Sequence, residues 1–144
     1  MITVENIYKA KVRLRSIISH TPLLHNLNFS ELYDARISFK REDLQVVRSY
    51  KIRGAYNKIS TTDPALLKNG VVCASAGNHA QGVALACAKL GVHGVIYMPS
   101  TTPKQKVKKV KFFGKNWVKI VLIGDTFDDA YHCLLYTSPS PRDS

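Results

Sequence analysis

From Gly70 onward the chain alternates short apolar runs with stretches of helical period, and no other feature restricts its fold so tightly. Val71–Ala74 is a short apolar run that reads as a buried strand. It is followed by a helical stretch from about Asn78 to Leu90 and a second strand over Val95–Met98. Thr102 is placed to cap a helix with Pro103 at its first position, where a missing N–H costs nothing, and Gly114 is placed to stop it. Val118–Ile123 predicts a third strand. Thr126, with Asp128 and Asp129 just behind it, predicts one more helix start, an oxygen cap followed by carboxylates at the positive end of the dipole. Strands separated by helices of roughly 10–15 residues do not pair as hairpins. The expected class is therefore α/β, a parallel sheet with flanking helices.

Upstream the pattern is looser. Thr3 to Ile18 predicts a helix with Ile7, Ala10, Leu14, Ile17 and Ile18 on one face, capped by Thr3 and ended ahead of Pro22. Ala35–Arg41 alternates Ile37 and Phe39 with polar residues, as a half-buried strand does.

Composition removes several functions. An apolar fraction of 45% against 22% charged residues belongs to a globular chain, and 144 residues can bury a core. No apolar run nears the roughly eighteen residues of a membrane span. The segment MITVENIYKAKVRLR spreads its charges evenly, unlike a secretory signal, so the cytoplasm is the expected location. Cys73, Cys87 and Cys133 are expected to be buried free thiols, and the five histidines lack metal-ligand spacing, so no metal is expected. The formal charge of +11 peaks between Lys104 and Lys119. Val107, Val110 and Phe113 recur at threefold spacing within that run, which describes an amphipathic helix with solvated lysines. A basic nucleic-acid-binding module is the non-enzymatic alternative; with few interleaved aromatics, no nucleic-acid partner is expected.

Two stretches carry chemistry. Ser49-Tyr50-Lys51-Ile52-Arg53-Gly54-Ala55 sets a lysine ahead of a helical stretch, where the dipole favours the free amine that imine chemistry requires. A lysine among polar neighbours is ordinarily a solvated surface residue, so this stretch says little alone. Ser75-Ala76-Gly77-Asn78-His79-Ala80-Gln81-Gly82 follows the first buried strand and opens a helix. Ligands of open parallel sheets bind beyond the carboxyl ends of strands, and helix-start amides hold anions. Gly77 and Gly82 are followed by Val83 and Ala84 where a P-loop needs Lys and Ser/Thr, and no GxGxxG occurs, which disfavours nucleotides.

Together these stretches resemble the fold-type II (tryptophan synthase β-like) pyridoxal-phosphate enzymes. The segment at Lys51 is similar to that family's Ser-Phe-Lys-x-Arg-Gly motif, and Ser75–Gln81 to its Ser-x-Gly-Asn-His-x-Gln loop, with Ser75 placed 24 positions after Lys51. His20–Leu23 (HTPL) and Lys40–Gln45 (KREDLQ) add matches in the expected order, and the resemblance extends to His132. It implies pyridoxal 5'-phosphate as cofactor, Lys51 as the Schiff-base lysine and general base, and Tyr50 packed near the cofactor ring. It further implies that Asn78 touches the ring hydroxyl and that Ser75, Ala76, Gly77, Asn78 and His79 bind the substrate carboxylate. Within the superfamily the threonine dehydratases (threonine ammonia-lyases) are the nearest resemblance, implying β-elimination of ammonia from L-threonine, the first step of isoleucine biosynthesis. Serine dehydratase and serine racemase are the alternatives. Racemases carry a proton-transferring serine where this chain has Ala76, which cannot move a proton.

The resemblance implies residues 1–48 in a larger cofactor domain and residues 49–132 in a small α/β domain. Residues 133–144 break the rhythm with a Ser/Pro string and are expected to be foreign to an incomplete fold. The family's glycine-rich phosphate loop and the partner of the pyridine nitrogen are not among these residues, so the chain alone is expected to be inactive. An amino-acid substrate and a homo-oligomeric full-length protein complete the expectation.

Overall fold

The structure is a computed structural model, and it describes residues 1–137. Helix α1 (Val4–Leu14) is capped by Thr3, whose Oγ1 accepts from Asn6 N–H. A short antiparallel pair follows, β1 (Leu23–His25) and β2 (Ser38–Lys40), with helix α2 (Leu27–Leu32) between them. A single 3₁₀ turn over Glu42–Leu44 leads toward α3 (Lys51–Ser60), and the short α4 (Pro64–Leu67) comes next. The remainder alternates: β3 (Val71–Ala74), α5 (Asn78–Leu90), β4 (Gly94–Met98), α6 (Lys104–Gly114), β5 (Val118–Leu122) and α7 (Phe127–Thr137). The three strands form one parallel sheet in the order β3-β4-β5, with Cys73 beside Ile96 and Ile96 beside Ile120.

The α/β class with a parallel sheet and flanking helices is the one read from the sequence. α5 forms the centre of the core. Ala80, Gln81, Gly82, Val83, Ala84, Leu85, Ala86 and Cys87 are buried in succession, because α3 and α6 cover two of its sides and the sheet a third. Its small residues let those neighbours approach closely. Ile52, Ala55 and Ile59 of α3, Ile96 and Met98 of β4, and Val110 of α6 complete the cluster. α5 ends at Gly91, whose φ of 65° is the left-handed conformation that closes helices. On α6 the lysines face solvent while Val110 is fully buried, the amphipathic division expected.

Several local expectations change. α1 stops at Leu14 because Ser19, four residues on from Arg15, gives its N–H to Gln45 Oε1 (2.9 Å) and its carbonyl to Gln45 Nε2 (3.0 Å). A side chain from a distant segment thus draws the chain out of its helix before Pro22 acts. Of the predicted apolar face, Leu14 is buried but Ile7 is exposed; near the end of α1, Arg13 Nε donates to Asn57 Oδ1 of α3 (2.9 Å). β2 is shorter than the predicted strand and exposed along its length, being half of a two-stranded ribbon; the Phe39 ring meets that of Phe29 edge to face. Thr102 does not cap α6: Pro103 holds that position, and Thr102 Oγ1 is buried without a partner. Thr126 caps as predicted, accepting from Asp129 N–H (3.2 Å) while Asp129 Oδ2 accepts from Thr126 N–H (2.9 Å), a reciprocal capping box.

Cys87 is buried and Cys73 and Cys133 are half-buried. Burial pushes the Cys73 thiol up to about 12, aided by Cys87, and pushes Cys87 up to about 11. Among the described residues no helix is long and apolar enough to cross a membrane, and no group of three or more His, Cys, Asp or Glu could hold a metal ion. The expected boundary at residue 133 falls inside α7, and residues 138–144 of the Ser/Pro string lie outside the described residues.

Candidate active site

β3 delivers the chain into the Ser75–Gly77 turn, and α5 starts directly from it, beyond the carboxyl end of a parallel strand. The turn is tied down locally. Ser75 N–H donates to the Tyr97 carbonyl of β4 (3.0 Å), and Gly77 N–H donates to Ser75 Oγ (3.3 Å). Gly77 occupies the N-cap position of α5 and no side chain caps that helix, so its leading amides are not consumed by a cap. A Cβ at Gly77 would meet no atom within 4 Å, so the space before the turn is open. Asn78 and His79 stand exposed on the first helical turn, while Ser75 and Ala76 are half-buried.

Lys51 is the first residue of α3, and its N–H donates to Ser49 Oγ (3.3 Å). The start of α3 lies against α5 at Gly82. A Cβ there would sit 3.1 Å from the Lys51 carbonyl carbon and 3.2 Å from Ile52 N, a closeness that only a glycine permits without displacement. This contact sets Lys51 beside the turn one helical turn upstream. The electrostatics agree: desolvation first, and then the charge of Lys51, hold the His79 imidazole below its ordinary pKa. Lys51 Nζ itself lies 5.2 Å from the centroid of the exposed Tyr50 ring, over its face.

A polar cluster that the sequence reading did not assign fixes the other side of α3. Arg53 Nε and Nη2 donate to Glu42 Oε2 and Oε1, each at 2.7 Å, a two-pronged pair. Thr21 Oγ1 donates to Glu42 Oε1 at 2.5 Å, and Lys40 Nζ donates to the Thr21 carbonyl. Gln45, 1% exposed, joins Glu42 to the Ser19 backbone. The Arg53 hydrogen bond, opposed by desolvation and aided by Thr21, lowers the Glu42 carboxyl to about 2. The cluster ties HTPL, KREDLQ and SYKIRG into one unit. Its only sequence signal was opposite charge at positions 42 and 53, which no helical or strand period connects.

Two clefts lie apart from Lys51 and the Gly77 turn, the second of them lined by Tyr50 and by the Glu42–Arg53 cluster itself. One of about 610 Å³ runs between Leu85, Phe113 and Trp117, and one of about 1020 Å³ lies between α1 and the Glu42–Arg53 pair; neither is lined by Lys51 or the Ser75–His79 turn.

Fold and turn together define a class, an α/β protein with an open, uncapped turn at the carboxyl edge of a parallel sheet. The family described as "Pyridoxal-phosphate dependent enzyme" matches residues 14–136, and the chain belongs to that family. It is 56% identical to the L-threonine dehydratase biosynthetic IlvA of Bacillus subtilis (strain 168) over 91% of its length. It is 55% identical, over the same share, to the protein of that name from Halalkalibacterium halodurans. These matches cover 31% and 32% of the relatives, so the chain spans about a third of their length. The processed form of threonine deaminase isoform 2 from Solanum lycopersicum superposes with a TM-score of 0.77 at 37% identity, covering 94% of this chain and 38% of that one. Serine racemase from Dictyostelium discoideum gives 0.81 at 30% identity, covering 94% and 43%. Fold similarity thus does not separate deaminase from racemase.

The residues present fit pyridoxal phosphate. A lysine at a helix start borders open space before an uncapped helix turn, which suits a ligand with an aldehyde and an amino acid's carboxylate.

Proposed function

We propose that the chain serves a threonine ammonia-lyase, which converts L-threonine to 2-oxobutanoate and ammonia. The observation that carries this reading is the seating of the Lys51 helix start on α5 at Gly82, beside the open Gly77 turn. The 55–56% identity to two biosynthetic threonine dehydratases, against 30% to the racemase, supports threonine as substrate. So does Ala76, whose methyl group cannot exchange the second proton that racemisation needs.

When bound, pyridoxal phosphate supplies an aldehyde and an electron-accepting ring. Lys51 Nζ would hold the cofactor at its aldehyde carbon and, as a free amine, would take the proton from the substrate Cα. The Ser75–His79 turn binds the carboxylate, with backbone N–H groups aimed out of the helix start. Asn78 and Tyr50 would help to hold the cofactor ring. Residues 1–48 belong to a larger domain and 49–132 to a smaller one, the intact protein being a cytoplasmic homo-oligomer in which α6's lysines face water rather than nucleic acid.

The test joins residues 1–132 to the remaining two thirds of the Bacillus subtilis relative and measures products from each amino acid. Formation of 2-oxobutanoate from L-threonine, faster than pyruvate from L-serine and with no D-serine, is the expected result. D-serine as the main product would establish the racemase alternative instead.

A further inference from the structure

The side chain of Tyr50, the N-cap residue of α3, makes no capping hydrogen bond, and this helix start carries Lys51. Two contacts hold it. Gly82 allows α5 to press against the backbone of Lys51 and Ile52. Two residues beyond Lys51, Arg53 is gripped by Glu42, which is itself set by Thr21 and by Gln45, the latter locked to both backbone groups of Ser19. We propose that the Arg53–Glu42 pair is a positioning clamp, which fixes the α3 start so that the Lys51 amine stays beside the His79 turn. A bidentate pair restrains rotation about the helix axis as well as distance, and the fork of arginine supplies this where a lysine could not. Neither residue needs to touch substrate or cofactor. The proposal rests on the role given to Lys51 above, but its test separates the two.

Residues 1–132 joined to the remainder of the Bacillus subtilis relative are made as wild type, Lys51→Met, Arg53→Lys and Glu42→Gln, with folding checked by circular dichroism. NMR titration of His79 reports where the lysine charge sits. Lys51→Met sets the scale by raising the His79 midpoint. Arg53→Lys, which keeps the charge, is expected to recover at least half of that rise. Glu42→Gln is expected to raise it too, although loss of a negative charge would by itself lower it. In parallel, each protein is treated with pyridoxal phosphate and borohydride, and the labelled peptides are quantified. The Lys51 share is expected to fall about fivefold or more in both clamp variants relative to Lys104, as misplacement of a reacting group implies. Folded variants with wild-type His79 titration and Lys51 labelling overturn the clamp. So does failure of both variants to fold, which would make the pair a requirement of folding instead. A wild type in which Lys51 labels no better than Lys104 contradicts the cofactor role of Lys51, and His79 then judges the clamp alone.

Discussion

Glu42 is the residue whose charge the fold uses most directly. Its carboxyl is held at about 2, against 4.5 ordinarily, with the Arg53 hydrogen bond the largest cause. A carboxyl lowered on folding stabilises the native state above its unfolded pKa, and that stability drains away as pH falls from near 5 toward 2. Glu42→Gln should therefore cost on the order of 1–3 kcal/mol at pH 7, allowing for solvent screening at the partly exposed Arg53. The deficit should shrink steadily toward pH 2.5, as measured by urea unfolding. An equal deficit at both pH values would show that the charge is not what matters. Cys73 and Cys87 give a second residue-scale expectation. With thiols pushed to about 12 and about 11, the native chain should resist iodoacetamide at pH 8 at both positions, and only unfolding should expose them. Rapid native alkylation of Cys87 would contradict its burial.

Among the elements, the contact between α3 and α5 is the most demanding. Gly82→Val would drive a branched side chain into the Lys51 backbone, which begins only 3.1 Å from where its Cβ must lie. The expected cost is roughly 1–3 kcal/mol, or a displaced α3; the displaced case would appear as faster amide exchange over residues 51–55. Thr126→Ala removes half of the α7 capping box and should cost about 1 kcal/mol in thermal unfolding. The Thr126 cap was legible in the sequence, though not its reciprocal bond to Asp129, and Thr102, read the same way, does not cap α6. The strands and helices from β3 onward were legible because their apolar spacing and punctuating residues lie within single segments. The end of α1 was not, because Gln45 sets it from a distant segment, and neither was the exposed β2, whose alternation implied a half-buried strand. Lys51 and the Ser75–His79 turn were singled out from residue order. The Glu42–Arg53 pair could not be, because only folding brings those two charges together.

At the scale of the molecule, the parallel sheet and α5 make a frame that sets two distant sequence segments against each other, Lys51 from one and Asn78–His79 from the other. The chain's basic charge does not contribute to that frame, since the lysines of α6 lie on the side away from its buried Val110. The proposed chemistry depends on a single amine taking the cofactor. The direct measurement uses residues 1–132 joined to the remainder of the Bacillus subtilis relative, loaded with pyridoxal phosphate, reduced with borohydride and mapped by peptide mass spectrometry. One label at Lys51, and loss of both label and 2-oxobutanoate formation in Lys51→Ala, is the predicted result. An active protein labelled at another lysine, or a Lys51→Ala variant that still turns over threonine, would contradict it.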